Sequence, residues 1–507
     1  MRRTDPSPSR TDALAPDDLF AGQAGAGCSF AQELPPSFYT RVAPRHLREP
    51  RLLHVNPAVA ALLGLDAAAL DAPAFLALCA GSGRLPGVEP VATVYSGHQF
   101  GVWAGQLGDG RAHLLGDVAG PQGRWEIQLK GSGRTPYSRM GDGWAVLRSS
   151  VREYLASQAM DGLGIPTTQA LALVASRDPV IRETPETAAV VTRIAPSFVR
   201  FGHFEHWAHS AIEQAALLDY VVAHWFPDCR VGPSADADRP ATACRLLAEV
   251  TRRTARLMAQ WQLVGFCHGV MNTDNMSMLG LTLDYGPYGF MDAFQANHVC
   301  NHSDTLGRYA WNAQPAVAQW NLTRLAESLQ VLGCLAPDLE AALAPFESVF
   351  LQAYYAGMAQ KFGLSDWRPE DADLGNAWWK LLHEQRADFT LAFRRLADTD
   401  GDARSWLDLF ADPQSARQWL DRYQARLAQD PRPQPDRKAA MDRVNPLYVL
   451  RNHLAQQAIQ AAQQGDASEI DRLMERLQDP YAQRPGDERY AQPPTADTPP
   501  VAVSCSS

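Results

Sequence analysis

The sequence predicts an α+β protein with two lobes, a mixed β/α lobe followed by a mainly helical one. Between Val91 and Lys130, in VATVYSGHQFGVWAGQLGDGRAHLLGDVAGPQGRWEIQLK, glycines alternate with apolar residues, which reads as strands joined by tight turns. From about residue 205 to 262, and over most of 310–475, apolar residues recur at helical spacing instead. No repeat of fixed period runs through the chain, which excludes a solenoid or propeller.

The elements follow in order. Residues 1–30 are rich in Pro, Asp, Ser and Gly and read as a flexible lead-in. Residues 31–205 form the first lobe, beginning with short helices such as PAVAALLGLDAAALDAPAFLALCA. After the glycine-rich strands comes an amphipathic helix, WAVLRSSVREYLASQAMDGLG, then strands around TQALALVAS and AAVVTRIA. Residues 206–478 form the helical lobe, and 479–507 are a Pro-rich tail ending Cys-Ser-Ser, expected to be flexible.

The chain has 507 residues, 46% of them apolar, enough for a substantial core. With 46 Lys+Arg against 56 Asp+Glu the net charge is −10, which argues against nucleic acid as a partner. No run approaches the length of ~18 apolar residues that crosses a membrane, and the N-terminus lacks the apolar centre of a secretory signal. The eight cysteines show no CxxC spacing and read mostly as buried thiols of a reducing compartment.

Three motifs carry chemistry. LGDGR, residues 107–111, sets Gly108, Gly110 and Arg111 between two strands, where backbone N–H groups can approach phosphate; a plain hairpin turn is the other reading. WEIQLK places Glu126, Gln128 and Lys130 on one strand face. A lysine late on such a strand, with Glu153 on the next helix, resembles the phosphate-binding lysine and helix glutamate of kinases; a solvated lysine and a surface glutamate are the other reading, and spacing alone favours it. Between these lies GSGRTPYSRMGDG, a loop holding Asp142 and Gly143 but no Walker A pattern.

The third motif is CHGVMNTDN followed by Asp284-Tyr285-Gly286. His268 and Asn275 have the separation of His and the metal-binding Asn in the kinase catalytic loop, and Asp284 matches the other metal-binding aspartate. Hard oxygen donors of this kind suit Mg²⁺. Val270 occupies the position of the kinase base and cannot accept a proton, whereas Asp274 stands directly before Asn275. Arg193 and Arg200, in TRIAPSFVRFGHFE, read either as phosphate clamps or as surface ion-pair formers. The histidines at 203, 206 and 209, and those at 298 and 302 beside Cys300, lack a full metal-ligand pattern.

Together these stretches, with NPLYVLRNHLAQQAI and the terminal CSS, resemble the selenoprotein O family of protein adenylyltransferases over nearly the whole chain. The resemblance implies a protein-kinase-like bilobal fold and ATP held in an orientation flipped relative to kinases. AMP would pass to Ser, Thr or Tyr hydroxyls of proteins, with release of diphosphate. Gly108, Gly110, Arg111, Lys130, Asp142, Gly143, Arg193, Arg200 and Asp284 would bind the nucleotide, and Glu153 would pair with Lys130. Asp274 would take the proton, and Asn275 and Asp284 would hold Mg²⁺ or Mn²⁺. A monomer is implied, cytoplasmic in a bacterium and mitochondrial in a eukaryote. A reversible Cys300–Cys505 disulfide is an additional expectation. Transfer of the γ-phosphoryl group, a catalytically dead nucleotide-binding scaffold, and UMP in place of AMP stay open at this point.

Overall fold

The computed structural model describes residues 19–20, 26–232 and 237–504. Twelve strands occur among them: β1 Tyr39–Arg41, β2 Arg51–Val55, β3 Val91–Thr93, β4 Ser96–Gln99, β5 Val102–Gln106, β6 Ala112–Gly120, β7 Gly123–Lys130, β8 Ala145–Val146, β9 Gln169–Ile181, β10 Pro185–Ala195, β11 Phe266–Cys267 and β12 Gly289–Phe290. Eight of them make one sheet in the order β1-β3-β6-β7-β10-β9-β2, with β8 pairing to β10. Its pairings are antiparallel, with hairpins joining β6 to β7 and β9 to β10, while helices lie in the connections from β2 to β3 and from β8 to β9. The two remaining pairs, β4 with β5 and β11 with β12, are small ribbons beside the cleft between the lobes.

The bilobal, kinase-like plan holds. Beyond Ala195 the regular structure is mainly helical, apart from the largely irregular stretch 264–310, with the 25-residue helix Arg239–Leu263 as the backbone of the second lobe. Its apolar residues, Leu246, Leu247, Val250, Leu257, Met258 and Trp261 among them, are buried along one stripe. A second core, built around Trp378, Trp406 and Trp419, gathers helices between residues 371 and 427. Trp378 and Trp419 meet with ring centroids 4.7 Å apart.

The helix Leu147–Gly162 is buried beyond the apolar face its pattern marks, with twelve of its sixteen residues buried. Sheet strands cover one side of it, and the C-terminal helices Asn452–Gln463 and Ser468–Gln478, expected in the second lobe, cover another. A Cβ on Gly162 would lie 1.8 Å from the Leu477 carbonyl oxygen, so only glycine permits this approach. The described segments at the two ends, expected to be loose, are packed as well. Leu19, Phe20 and Phe30 join the core, and the Pro-rich segment after 479 buries Tyr490, Ala491 and Val503. That segment is held by charge as well as by apolar area, because the buried Arg451 donates to the Ala491 carbonyl at 3.1 Å. No helix among the described residues is long and apolar enough to cross a membrane.

The second lobe buries one lysine. Lys361 is 4% exposed and its Nζ sits 4.2 Å from the centre of the Phe393 ring. Burial lowers its pKa to about 7. Between that value and the ordinary 10.5 the unfolded chain holds one proton more than the folded one, so this residue makes stability rise with pH across the interval. Lys361→Met is therefore expected to stabilise the protein at pH 7 by about 2 kcal/mol in urea denaturation, a gain that shrinks toward pH 10.

Candidate active site

The site is built from three backbone segments that meet at the cleft. On β7, alternation turns Ile127 and Leu129 into the core and Glu126, Gln128 and Lys130 toward the cleft. Arg193 on β10 stands directly opposite Gln128 in the sheet register, and its guanidinium donates to the Gln128 amide oxygen. The linker after β10 crosses to the second lobe: Arg200 caps the helix Phe201–His206 and bridges Ser277. Glu126 anchors that crossing by accepting the Phe198 N–H at 2.7 Å.

These segments converge on Asp284. Its Oδ1 accepts from Lys130 at 2.9 Å and from Arg193 at 2.6 Å, and its Oδ2 accepts from Arg200 at 2.7 Å. Burial alone would raise the Asp284 carboxyl, but the three cations outweigh it and hold the group well below the usual carboxylate range. Glu153, from the Leu147–Gly162 helix, pairs with Lys130 at 2.8 Å and with Arg193 at 2.9 Å. The cluster thus sets three cations against two carboxylates, leaving one positive charge in a nearly dry setting. Asp284 takes a left-handed backbone, φ 56°, which aspartate tolerates better than most residues.

Asp274 and Asn275 lie on the short turn Thr273–Asn275. The Asn275 amide nitrogen donates to the Val270 carbonyl at 2.9 Å, and its Oδ1 accepts no hydrogen bond from the described residues. Asp274 is 8% exposed. Gln99 Nε2 donates to its Oδ2 at 3.3 Å, while its Oδ1 is buried without a partner. Burial raises its pKa to about 7, offset in part by Arg200. The Asp274 backbone carbonyl accepts from Arg200 at 3.0 Å, so one guanidinium ties Asp274 to Asp284.

A cavity of about 480 Å³ opens over this cluster. Every nucleotide, base and metal residue expected from the sequence lines it: Gly108, Gly110, Arg111, Lys130, Asp142, Gly143, Arg193, Arg200, Asp274, Asn275 and Asp284. Gly108 adopts φ 141°, and a Cβ there would meet the Tyr137 ring at 2.5 Å; Gly143, at φ 79°, packs against the backbone of Gly133 and Arg134. These contacts stack the 107–111 loop on the 131–143 loop. Asp109 locks the first of them by accepting from Thr93 N–H at 3.0 Å and Thr93 Oγ1 at 2.7 Å. Arg193 and Arg200 are each 2% exposed, which removes the surface-pair reading of both.

Other lining residues escaped the sequence reading. Arg182, forty residues from Asp142, clasps it bidentately at 2.7 and 2.9 Å, and Gln99 reaches Asp274 from β4. Neither has a local signal, because both act across long loops. The histidines hold structure: His203 Nδ1 accepts from the Arg200 N–H, and His206 Nδ1 meets Ser96 Oγ at 2.7 Å. No cluster of three or more His, Cys, Asp or Glu side chains suited to a metal occurs among the described residues. Cys300 Sγ is buried against the Pro287 and Cys267 carbonyls, and Cys505 lies outside the described residues.

A cationic cleft between a β-rich and a helical lobe, with Lys130 paired to a helix glutamate and Asn275 and Asp284 opposite, defines a nucleotide-binding enzyme of kinase-like fold. The family described as Protein adenylyltransferase SelO matches residues 28–478. The chain is 59% identical over 502 residues to a protein nucleotidyltransferase YdiU of Bordetella avium, covering 98% of this chain and 99% of that one. It is 61% identical over 486 residues to that of Bordetella parapertussis (94% and 97% covered) and 51% identical over 523 residues to that of Ralstonia nicotianae (98% of each). The chain belongs to the SelO/YdiU family of protein nucleotidyltransferases.

Arg200 hydrogen-bonds both Asp274 and Asp284 and also lies over the Tyr95 ring, 5.0 Å from its centre. Removing Arg200 leaves Asp284 Oδ2 and the Asp274 carbonyl without their donor in a buried setting. Arg200→Met is expected to cost about 3–5 kcal/mol in urea denaturation, and Arg200→Lys to recover only a minor part, since an ammonium cannot span both contacts.

Proposed function

We infer that the protein transfers AMP from ATP to Ser, Thr or Tyr hydroxyls of proteins and releases diphosphate. The carrying observation is the charge of the inner wall. Where a kinase buries adenine, a slot needs apolar surface, yet here the buried lining includes the cations Lys130, Arg193 and Arg200. A triphosphate therefore enters with its β and γ groups inward, and its α-phosphorus faces the opening and Asp274. Arg111, exposed near the mouth, and the stacked glycine loops would flank the nucleoside end.

In the transfer, the acceptor hydroxyl gives its proton to the Asp274 carboxylate. The hydroxyl oxygen then bonds to the α-phosphorus, and the bond to the bridging oxygen of the β-phosphate breaks. The leaving diphosphate carries its new charge into the field of Lys130, Arg193 and Arg200, which needs no rearrangement of solvent. Asn275 Oδ1 and the Asp284 carboxylate are hard oxygen donors on one cavity wall, a set that fits a divalent cation such as Mg²⁺ or Mn²⁺. When bound, that ion would neutralise phosphate charge. Conventional γ-phosphoryl transfer is disfavoured by Val270, which lines the cavity where a kinase base would stand and accepts no proton.

The Cys300–Cys505 disulfide is kept as a proposal. Its support is the path of the tail, for the Val503 carbonyl accepts the His302 N–H at 3.0 Å. Burial pushes the Cys300 thiol well above its ordinary value, so Cys505 would supply the thiolate, with glutathione disulfide as oxidant. Non-reducing peptide mapping after glutathione disulfide treatment is expected to link the two; their absence from every linked peptide refutes the pairing.

Parallel incubations with α-³²P and γ-³²P ATP test the main reading: label on protein is expected from the α position alone. Asp274→Asn is expected to lower kcat by about 10²–10⁴-fold, the contribution of a positioned base, with little change in ATP affinity. Label from the γ position alone would establish a kinase instead.

A further inference from the structure

The ribbon β4–β5 has features that nucleotide binding does not use. Strand β4 is fastened to the catalytic turn: His98 N–H donates to Thr273 Oγ1 at 2.8 Å, and Phe100 N–H donates to Asn272 Oδ1 at 3.1 Å and to the Tyr309 hydroxyl at 2.9 Å. A Cβ on Gly97 would stand 2.7 Å from Thr273 Oγ1, so the ribbon sits against the turn with no slack. Strand β5 is the opposite. It pairs with β4 on one edge, and no other strand among the described residues pairs with it.

Its side chains are also bare. Val102 is 70% exposed and Trp103 50%. An unguarded edge strand carrying large apolar residues is a liability that proteins ordinarily blunt with charge or proline, and Val102–Gln106 has neither. The strand is a rim of the active-site cavity, since Gln99 and Phe100 before it and Leu107 and Gly108 after it all line that cavity. It thus runs from the turn holding Asp274 to the loop expected to hold the nucleotide.

We propose that the free edge of β5 is the docking strand for the protein substrate, which adds an extended segment to the ribbon and lays successive apolar side chains beside Val102 on one face and Trp103 on the other. This rests on the transfer to protein hydroxyls inferred above. Strand addition supplies affinity through main-chain hydrogen bonds that are indifferent to most of the sequence, and the apolar contact supplies selectivity. A segment on this rim brings its hydroxyl to the cleft that Asp274 lines. The occupant required is an unfolded or loop segment of β-forming, apolar-flanked sequence around the acceptor, because a folded helix cannot pair with a strand edge.

The test uses three synthetic twelve-residue peptides with a central Ser, Thr or Tyr between valine-rich flanks, labelled with α-³²P ATP. Val102→Lys and Trp103→Ser, alone and together, are expected to raise peptide KM by about tenfold while ATP KM and kcat at saturation stay within about twofold. Methylating alternate peptide nitrogens is expected to give the same loss in one alternation phase and none in the other, the signature of strand pairing. If the wild type labels the peptides but the variants keep its KM, or if both methylation phases behave alike, docking on β5 is refuted while the transferase reading stands. If the substitutions raise activity, the strand is covered by this chain's own segment and the proposal also fails. If wild type labels no peptide and no protein from α-³²P ATP, the failure belongs to the transferase reading, and the docking proposal falls with it.

Discussion

Asp284 is held by three cations at once, and the cleft is arranged around that fact. Lys130 comes from the sheet, Arg193 from the neighbouring strand and Arg200 from the linker to the second lobe, so a single carboxylate joins the lobes. Each of the four groups is largely withdrawn from water, where an unpaired charge would cost several kcal/mol. The same low dielectric strengthens the field that the cluster presents to an incoming triphosphate. Asp284 therefore serves as a stand-in anion: it keeps the cations assembled, in a geometry that phosphate oxygens can take over.

The glutamate side of the cluster is fixed by the far end of the chain. In kinases the corresponding helix is a moving part whose position controls the lysine–glutamate pair. Here Arg152, next to Glu153, donates to Asn452 at 3.1 Å and to the Tyr288 carbonyl at 2.7 Å, and the C-terminal helices close over the helix at Gly162. Residues near 450–478 thus hold Glu153 in its pairing position, and the Lys130 ammonium stays aimed into the cavity. An enzyme built this way has its phosphate site assembled before substrate arrives.

Much of this was legible in the sequence. The change from period-two to helical patterning near residue 200 marked the lobes, and Asn275 and Asp284 stood out by their spacing within one motif, whereas spacing alone left Lys130 and Glu153 open and only the resemblance singled them out. Arg193 and Arg200 were ambiguous for a physical reason: whether an arginine is a buried clamp or a surface pair depends on tertiary burial, which periodicity does not encode. Arg182 and Gln99 reach their carboxylates across 40 and 175 residues, and nothing local marks them. The packing of the Pro-rich segment after 479 leaves no mark in composition, which signals only low helix and strand propensity, because it comes from buried contacts such as Arg451 with Ala491. The short strands β1 and β2 were hidden among helical patterns, since a few residues carry too little periodicity to register.

The central claim is that Asp284 competes with triphosphate for Lys130, Arg193 and Arg200. The direct measurement is ATP affinity by isothermal titration calorimetry in EDTA, where no divalent cation contributes, for wild type and Asp284→Asn. The account expects the variant to bind ATP more tightly, by about tenfold, because neutralising the stand-in anion frees the cations it occupies. Equal or weaker binding by the variant would show that Asp284 does not occupy the phosphate site and would contradict the account.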